Sequence, residues 1–390
     1  MYSFTHSIPT KIHFGPGKLE KLGKELSKFG KKVLIVYGGG SIKKSGLYDE
    51  VIKEIETAGL ESHELSGVDP NPRVTSVNAG ADICKKEGID VVLAIGGGSV
   101  IDCAKGIAAA AFYDGDAWDF CIRKAKIGKC LPIVTILTIA ATGSEMDTVG
   151  VLTNMETQQK LAIASPALRP AVSFLDPTLT YSVGKYQTAC GCADILSHIM
   201  EDYFVNADGS MFMLDRFKEG MMRTVIKYAP IALEEPDNYE ARANLMWTSS
   251  WAINGFSGSL TNCAWSCHMI EHELSAIYDI THGLGLAIVT PKWMKYVLND
   301  ETAPKFADFA RNVFDVDPSL SDMEAAKEGI AALEDFLYNK LGLKSTLKEV
   351  EIDDSNIDIM AEKACAGRPA LKGWIPLTAA QIAEILRACL

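Results

Sequence analysis

Asp194 and His198 stand four residues apart in the run GCADILSH, and on a helix that spacing brings both side chains to one face, one turn apart. Taken alone, such a pair more often forms a hydrogen-bonded neighbourhood than a metal site. Further along, His268-Met-Ile-Glu271-His272 is followed after a short connection by His282-Gly283, and four of the seven histidines of the chain lie in this half. A single histidine in a helix is usually a satisfied core residue. Four imidazoles and an aspartate on adjacent helices point instead to a metal site, and three imidazoles with one carboxylate suit iron(II) or zinc. His268 to His272 also spells H-x-x-E-H, the inverted zinc-peptidase signature in which the glutamate is a general base. That reading leaves Asp194, His198 and the whole first half of the chain without a purpose.

The second set of residues with chemistry in them is a series of glycine turns. Gly96, Gly97, Gly98 and Ser99 follow the apolar run DVVLAI and open a helix predicted to begin near Val100. At such a turn, residues without a β-carbon let the backbone approach a pyrophosphate, and the helix start offers unpaired N–H groups and a favourable dipole. Asp102 falls in the first turn of that helix, either as a dipole-stabilising residue or as a partner for a ribose or nicotinamide group. An earlier run, KKVLIVY, ends in Gly38, Gly39, Gly40 and Ser41, with Lys43 and Lys44 behind it. No acid closes this strand to hold a ribose 2′-hydroxyl, so small residues, a hydroxyl and lysines suit NADP(H), unless the turn is only a glycine turn with solvated lysines. A third turn, Thr138 to Glu145, carries the hydroxyls of Thr138, Thr142 and Ser144, which can meet a cofactor or cap a helix.

The elements that must position these residues divide the chain in two. From Lys32 to Asp176, short β-branched runs alternate with segments of helical period, which predicts β-α-β crossovers and a doubly wound, Rossmann-like parallel sheet. The segment Phe4 to Phe14 adds a candidate peripheral strand. Beyond Pro177 no β-rich run recurs, and helices are predicted over 185–205, 211–233, 238–254, 265–278, 283–298, 303–314, 322–341 and 378–389. The expected organisation is an α/β nucleotide-binding domain over 1–184, then an all-α metal-binding and substrate domain over 185–390. A length of 390 residues agrees with two cores, since single cores stop growing at roughly 250–300 residues.

Composition narrows the partners. A hydrophobic fraction of 48%, a charged fraction of 23% and a mean hydropathy of +0.08 describe an ordinary globular chain. The net charge of −12 opposes nucleic-acid binding, so any anionic ligand must be held locally. The N-terminal residues lack the basic and apolar regions of a secretory signal, and no apolar run is long enough to cross a bilayer, so a cytoplasmic location is expected. The ten cysteines form no C-x-x-C pair and read as reduced, mostly buried residues.

With these residues in hand the chain resembles the iron-containing (group III) alcohol dehydrogenase family, especially its NADPH-dependent butanol dehydrogenase branch. The resemblance runs through Val68-Asp69-Pro70-Asn71-Pro72, GGGSVID, ATGSE, GCADILSH and HMIEHELSAIYDITHG. It implies that Asp194, His198, His268 and His282 are the metal ligands, with iron(II) expected and zinc chemically open. His272 is then left near the substrate, as a proton relay or as a residue orienting a ligand. It also implies cofactor contacts at Gly38, Ser41, Asn71, Gly97, Gly98, Ser99, Asp102, Thr138, Thr142, Ser144 and Lys160. Leu137 and Ile139 depart from the family pattern beside Thr138, as does Gly184 where proline is common. The implied reaction interconverts primary alcohols and aldehydes, butanol and butanal among them, with the metal polarising the substrate oxygen and a hydride passing to or from NADP(H). A homodimer through the first strand region is what the resemblance allows. A polyol dehydrogenase or a dehydroquinate-synthase-like lyase of the same fold, and a non-catalytic metal or nucleotide binder, are the rival readings.

Overall fold

In the computed structural model the described residues are 5–205, 211–256 and 265–390; Phe4, where the expected first strand begins, lies outside them. Two compact units emerge, one spanning Ser7–Ser182, the other the described residues of Val183–Leu390 together with Thr5 and His6.

The first unit carries strands β1 (Lys11–Phe14), β2 (Lys32–Tyr37), β3 (Glu61–Leu65), β4 (Val91–Gly96), β5 (Ile133–Leu137), β6 (Val149–Asn154), β7 (Gln159–Ala164) and β8 (Val172–Leu175). Its helices are α1 (Leu22–Leu26), α2 (Ser41–Lys44), α3 (Leu47–Thr57), α4 (Val74–Glu87), α5 (Gly98–Ala110) and α6 (Trp118–Cys121). Six strands form one sheet in the order β1-β8-β5-β4-β2-β3, and every pairing in it is parallel. Val33, Ile35, Val91, Leu93 and Val134 pack with Leu22, Val51 and Ile55 of α1 and α3. The intervening Leu34, Val36, Val92 and Ala94 are buried as completely, because the opposite face is covered as well. Burial on both faces is why these strands read as unbroken apolar runs rather than alternating ones.

The antiparallel hairpin β6–β7 departs from the expected parallel alternation. Its turn, Asn154-Met-Glu-Thr-Gln158, contains neither glycine nor proline. Instead Asn154 Oδ1 accepts the N–H groups of Glu156 at 2.9 Å and Thr157 at 3.2 Å, and Gln158 takes the positive φ of 49°. An asparagine side chain thus makes the turn that punctuation residues usually announce.

The second unit is helical: α7 (Lys185–Phe204), α8 (Phe212–Glu234), α9 (Tyr239–Ile253), α10 (Ser266–Tyr278), α11 (His282–Val297), α12 (Ala303–Phe314), α13 (Asp322–Glu334), α14 (Ile357–Ala364) and α15 (Ala379–Ala388). A π-helical turn over Asp335–Lys340 continues α13, so the helix expected over 322–341 is two kinds of helix in series. The helix α14 had no counterpart in the sequence reading. α7 is buried from Thr188 to Phe204 and packs against α8, α9, α10 and α11, which makes it the axis of the unit. Among the described residues no helix is long and apolar enough to cross a membrane. The described cysteines are unpaired, and all but Cys130 are buried.

Candidate metal centre and dinucleotide turns

Helical spacing places Asp194 and His198 on one face of α7, and both are buried. His268 and His272 sit one turn apart on α10. That helix ends at Asp279, whose left-handed conformation (φ 51°) turns the chain so that Thr281 caps α11 and His282 becomes its first residue. Asp194 Oδ1 then lies 3.7 Å from His198 Nε2, 3.7 Å from His268 Nε2 and 3.8 Å from His282 Nε2. These gaps are too long for hydrogen bonds, and both Asp194 Oδ1 and His268 Nε2 are buried without a hydrogen-bond partner. They are close to the ~3.4 Å that separates donors around a four-coordinate ion with bonds of ~2.1 Å. Asp194, His268 and His282 each offer an atom within 4.8 Å of the others'. His198 joins this set through Asp194 and by stacking on His268, with ring centroids 4.6 Å apart. The indole of Trp265 meets the His198 and His268 rings edge-on, at 5.7 Å and 5.0 Å.

Two buried carboxylates aim the imidazoles. Glu201, two turns beyond Asp194 on α7, receives the backbone N–H of Cys267 on Oε2 at 2.9 Å and that of His268 on Oε1 at 3.0 Å. The same Oε1 meets His268 Nδ1 at 2.5 Å. One side chain therefore caps α10, which has no cap of its own, and turns His268 Nε2 toward Asp194. Glu271, fully buried, accepts Ser275 Oγ at 2.5 Å and pairs with His282 Nδ1. Gly285 makes room for it, since a β-carbon there would fall 2.7 Å from Glu271 Cγ. Glu271, His272 and His282 form a second group of nearby donors. Because Glu271 is engaged by His282 and Ser275, the Asp194 group is the better-prepared ion site. The same engagement removes Glu271 from the role of peptidase base.

The electrostatics follow from burial and charge. Burial raises the Asp194 carboxyl, but the three histidines outweigh it and hold it at about 2. Burial lowers His198 to about 4 against the pull of Asp194. For His268 burial also lowers, yet Glu201 and Asp194 prevail and bring it up to about 9. A cation held there would compete with the proton that Glu201 and Asp194 favour on His268.

In the first unit, Gly97 is the extended cap of α5, with Gly98 and Ser99 its first residues. A β-carbon on Gly98 would sit 2.4 Å from the Thr142 side chain, so this glycine admits the third turn against the helix start. Thr138 follows β5 and donates its N–H to Gly96 at 3.0 Å, and Thr142 Oγ1 accepts the Ser144 N–H at 3.2 Å. Asp102 receives Ser144 Oγ on one oxygen at 2.6 Å and Val151 N–H on the other at 2.9 Å. It ties the third turn and β6 to α5, and burial, its largest influence, raises its carboxyl despite nearby Lys105, Ser144 and Lys160. Lys105, fully buried and unremarked in the sequence, donates to Ser144 Oγ at 2.8 Å, to Val149 O at 2.6 Å and to Asp147. Lys160 lies buried on β7 opposite Thr153. Gly38 and Ser41 occupy the neighbouring turn after β2, and Asn71 holds a buried positive-φ position (53°) between β3 and α4.

Residues 9–177 match the family model described as iron-containing alcohol dehydrogenase, and residues 188–390 match the C-terminal model of the Fe-containing alcohol dehydrogenase family. The chain belongs to the iron-containing alcohol dehydrogenase family. It is 51% identical over 388 residues to NADH-dependent butanol dehydrogenase B of Clostridium acetobutylicum, with 99% of each chain covered. It is 35% identical over 367 residues to the NADPH-dependent aldehyde reductase YqhD of Escherichia coli, with 93% of each covered. Among solved structures, that of NADH-dependent butanol dehydrogenase A from Thermotoga maritima superposes with a TM-score of 0.94 at 42% identity, covering 100% of this chain and 99% of the other. As a family member the chain is an alcohol and aldehyde oxidoreductase that works with a nicotinamide cofactor. Glu201 and Glu271 are the residues that the sequence does not single out as parts of the candidate metal centre. The signal for Glu201 was present, since it follows Asp194 by seven residues and therefore shares its helix face.

Proposed function

We propose that this dehydrogenase interconverts primary alcohols and aldehydes of butanol size, with one divalent ion, iron(II) before zinc, held by Asp194, His198, His268 and His282. The observation that carries this reading is the convergence of three imidazole nitrogens on Asp194 Oδ1 at 3.7–3.8 Å with no hydrogen bond between them. A bound ion would supply Lewis acidity toward a substrate oxygen, and the dinucleotide would accept or return the hydride. The chain's own residues do the rest. Asp194 supplies the compensating charge, while Glu201 and Glu271 fix the faces that His268 and His282 present. His272, buried one turn after His268 and with its ring 5.6 Å from that of His282, takes up the hydroxyl proton in oxidation and returns it in reduction.

For the cofactor, two lines of support diverge. The glycine turn after β2 has no carboxylate to repel a 2′-phosphate, which favours NADP(H); the Clostridium and Thermotoga relatives are named NADH-dependent, the Escherichia one NADPH-dependent. We therefore propose use of both dinucleotides, with kcat/KM values within about tenfold of each other. The test is butanal reduction with NADH and with NADPH by protein purified without oxygen and analysed for metal, alongside a series of longer aldehydes, glycerol and an unstructured peptide. Reduction of butanal that stops on chelation and returns with iron(II) is the expected result. Peptide cleavage, or full activity in demonstrably metal-free protein, would overturn the proposal.

A further inference from the structure

In the parallel pairing of β2 with β4, Tyr37 stands opposite Ile95, so the turn at Gly38–Ser41 leaves the sheet beside the turn that opens α5. A dinucleotide whose pyrophosphate rests at the α5 start extends its adenosine ribose toward the neighbouring turn. Just past that turn, Lys43, half exposed, is flanked on its protein side by groups that the cofactor reading does not use. Its Nζ lies 3.7 Å from Glu64 Oε2 on β3, 4.3 Å from the ring centre of Tyr48 and 5.1 Å from that of Tyr37. Glu64 is fixed in turn, because Tyr37 Oη donates to its Oε2 at 2.7 Å and Tyr48 Oη donates to its Oε1. A carboxylate and two aromatic faces thus compensate the one positive charge of Lys43. Lys44, the next residue, forms no ion pair among the described residues.

We propose that Glu64, held by Tyr37 and Tyr48, is a specificity-determining residue that occupies Lys43 and so prevents the turn after β2 from favouring NADPH over NADH. The inference rests on the reading of the glycine turns as a dinucleotide site. It assigns the balance between the two cofactors to a residue on the neighbouring edge strand rather than to the turn itself. Lys43 and Glu64 lie at the surface, although the Tyr37 ring beneath them is buried, and surface ion pairs are modest, so the expected effect is a shift in preference rather than a switch.

The experiment measures NADP+ and NAD+ binding separately by calorimetry on the full chain, for the wild type, Glu64→Gln, Lys43→Ala and the double variant. Freed by Glu64→Gln, Lys43 should tighten NADP+ by roughly three- to tenfold and leave NAD+ within about twofold. Adding Lys43→Ala should erase that gain, and Lys43→Ala alone should change NADP+ by less than about twofold. An unchanged NADP+ to NAD+ ratio in Glu64→Gln would overturn the proposal, as would a gain that survives loss of Lys43. So would a large loss of NADP+ binding in Lys43→Ala alone, because Lys43 would then already serve the phosphate. Failure of the wild type to bind either dinucleotide would overturn the parent reading as well.

Discussion

The glycine turns of the first unit and the histidine cluster of the second offer different parts of the chain to a ligand. At the α5 start the groups on offer are backbone N–H donors and the absence of a β-carbon, so the fold itself would make the proposed dinucleotide site. Around Asp194 the useful groups are side-chain atoms, each of which must be aimed by another side chain, as Glu201 aims His268 and Glu271 aims His282. A backbone site fails when something is added to it, whereas a side-chain site fails when something is removed.

The largest effect tests that contrast directly. His282→Ala should lose metal and lower butanal reduction by roughly 10³-fold, while dinucleotide binding measured by calorimetry stays near the wild-type value. Loss of both together would show that the two sites are not separable in this way.

The metal-free protein should also carry a pH signature that the glycine turns lack. His198 is held at about 4 against an ordinary 6.5, so the unfolded chain takes the proton first and stability falls as pH drops from 6.5 toward 4, by up to about 3 kcal/mol. His268 is raised to about 9, so its contribution is full below 6.5 and is lost as pH climbs through 9. Denaturant melts of metal-free protein should therefore show greatest stability near the ordinary histidine value of 6.5. The added stability from a bound ion should grow toward alkaline pH, as the competing proton leaves His268. A flat profile between pH 4 and 9 would contradict these environments.

Glu201→Gln should weaken metal affinity by about 10–100-fold in a chelator competition, since the amide keeps the shape but loses the charge that orients His268. Its circular dichroism and its dinucleotide affinity should hardly move. Smaller again is Gly98→Ala, expected to weaken dinucleotide binding by about tenfold through displacement of the Thr142 turn, with metal content unchanged. Equal dinucleotide binding in that variant would mean that the turn adjusts without cost.

The two regions were also unequally legible. The buried strands announced themselves as β-branched runs ending in glycine, and the helices of the second unit by their period, so bounds such as Ala303–Phe314 could be written from residues alone. The β6–β7 hairpin could not, because an asparagine side chain rather than glycine or proline closes its turn. Helix α14 was equally hidden among the charged residues that precede it. Ranking the metal residues needed the resemblance to a known family, since spacing alone left His272 as eligible as His268.

Spacing along a helix and glycine at a strand end are local properties, and the sequence by itself determined them: Asp194 with His198 on one face, His268 with His272 on another, and the glycine turns. Which atoms meet is not local. The 3.7–3.8 Å convergence on Asp194 Oδ1, the capping of α10 by Glu201, the seat of Glu271 against Gly285 and the ion pair of Lys43 with Glu64 join residues from different elements. The packing of α7, α10 and α11 against one another, and the pairing of β2 with β3, bring those residues within reach. Directional contacts such as these are fixed by tertiary distance, on which spacing within one segment is silent.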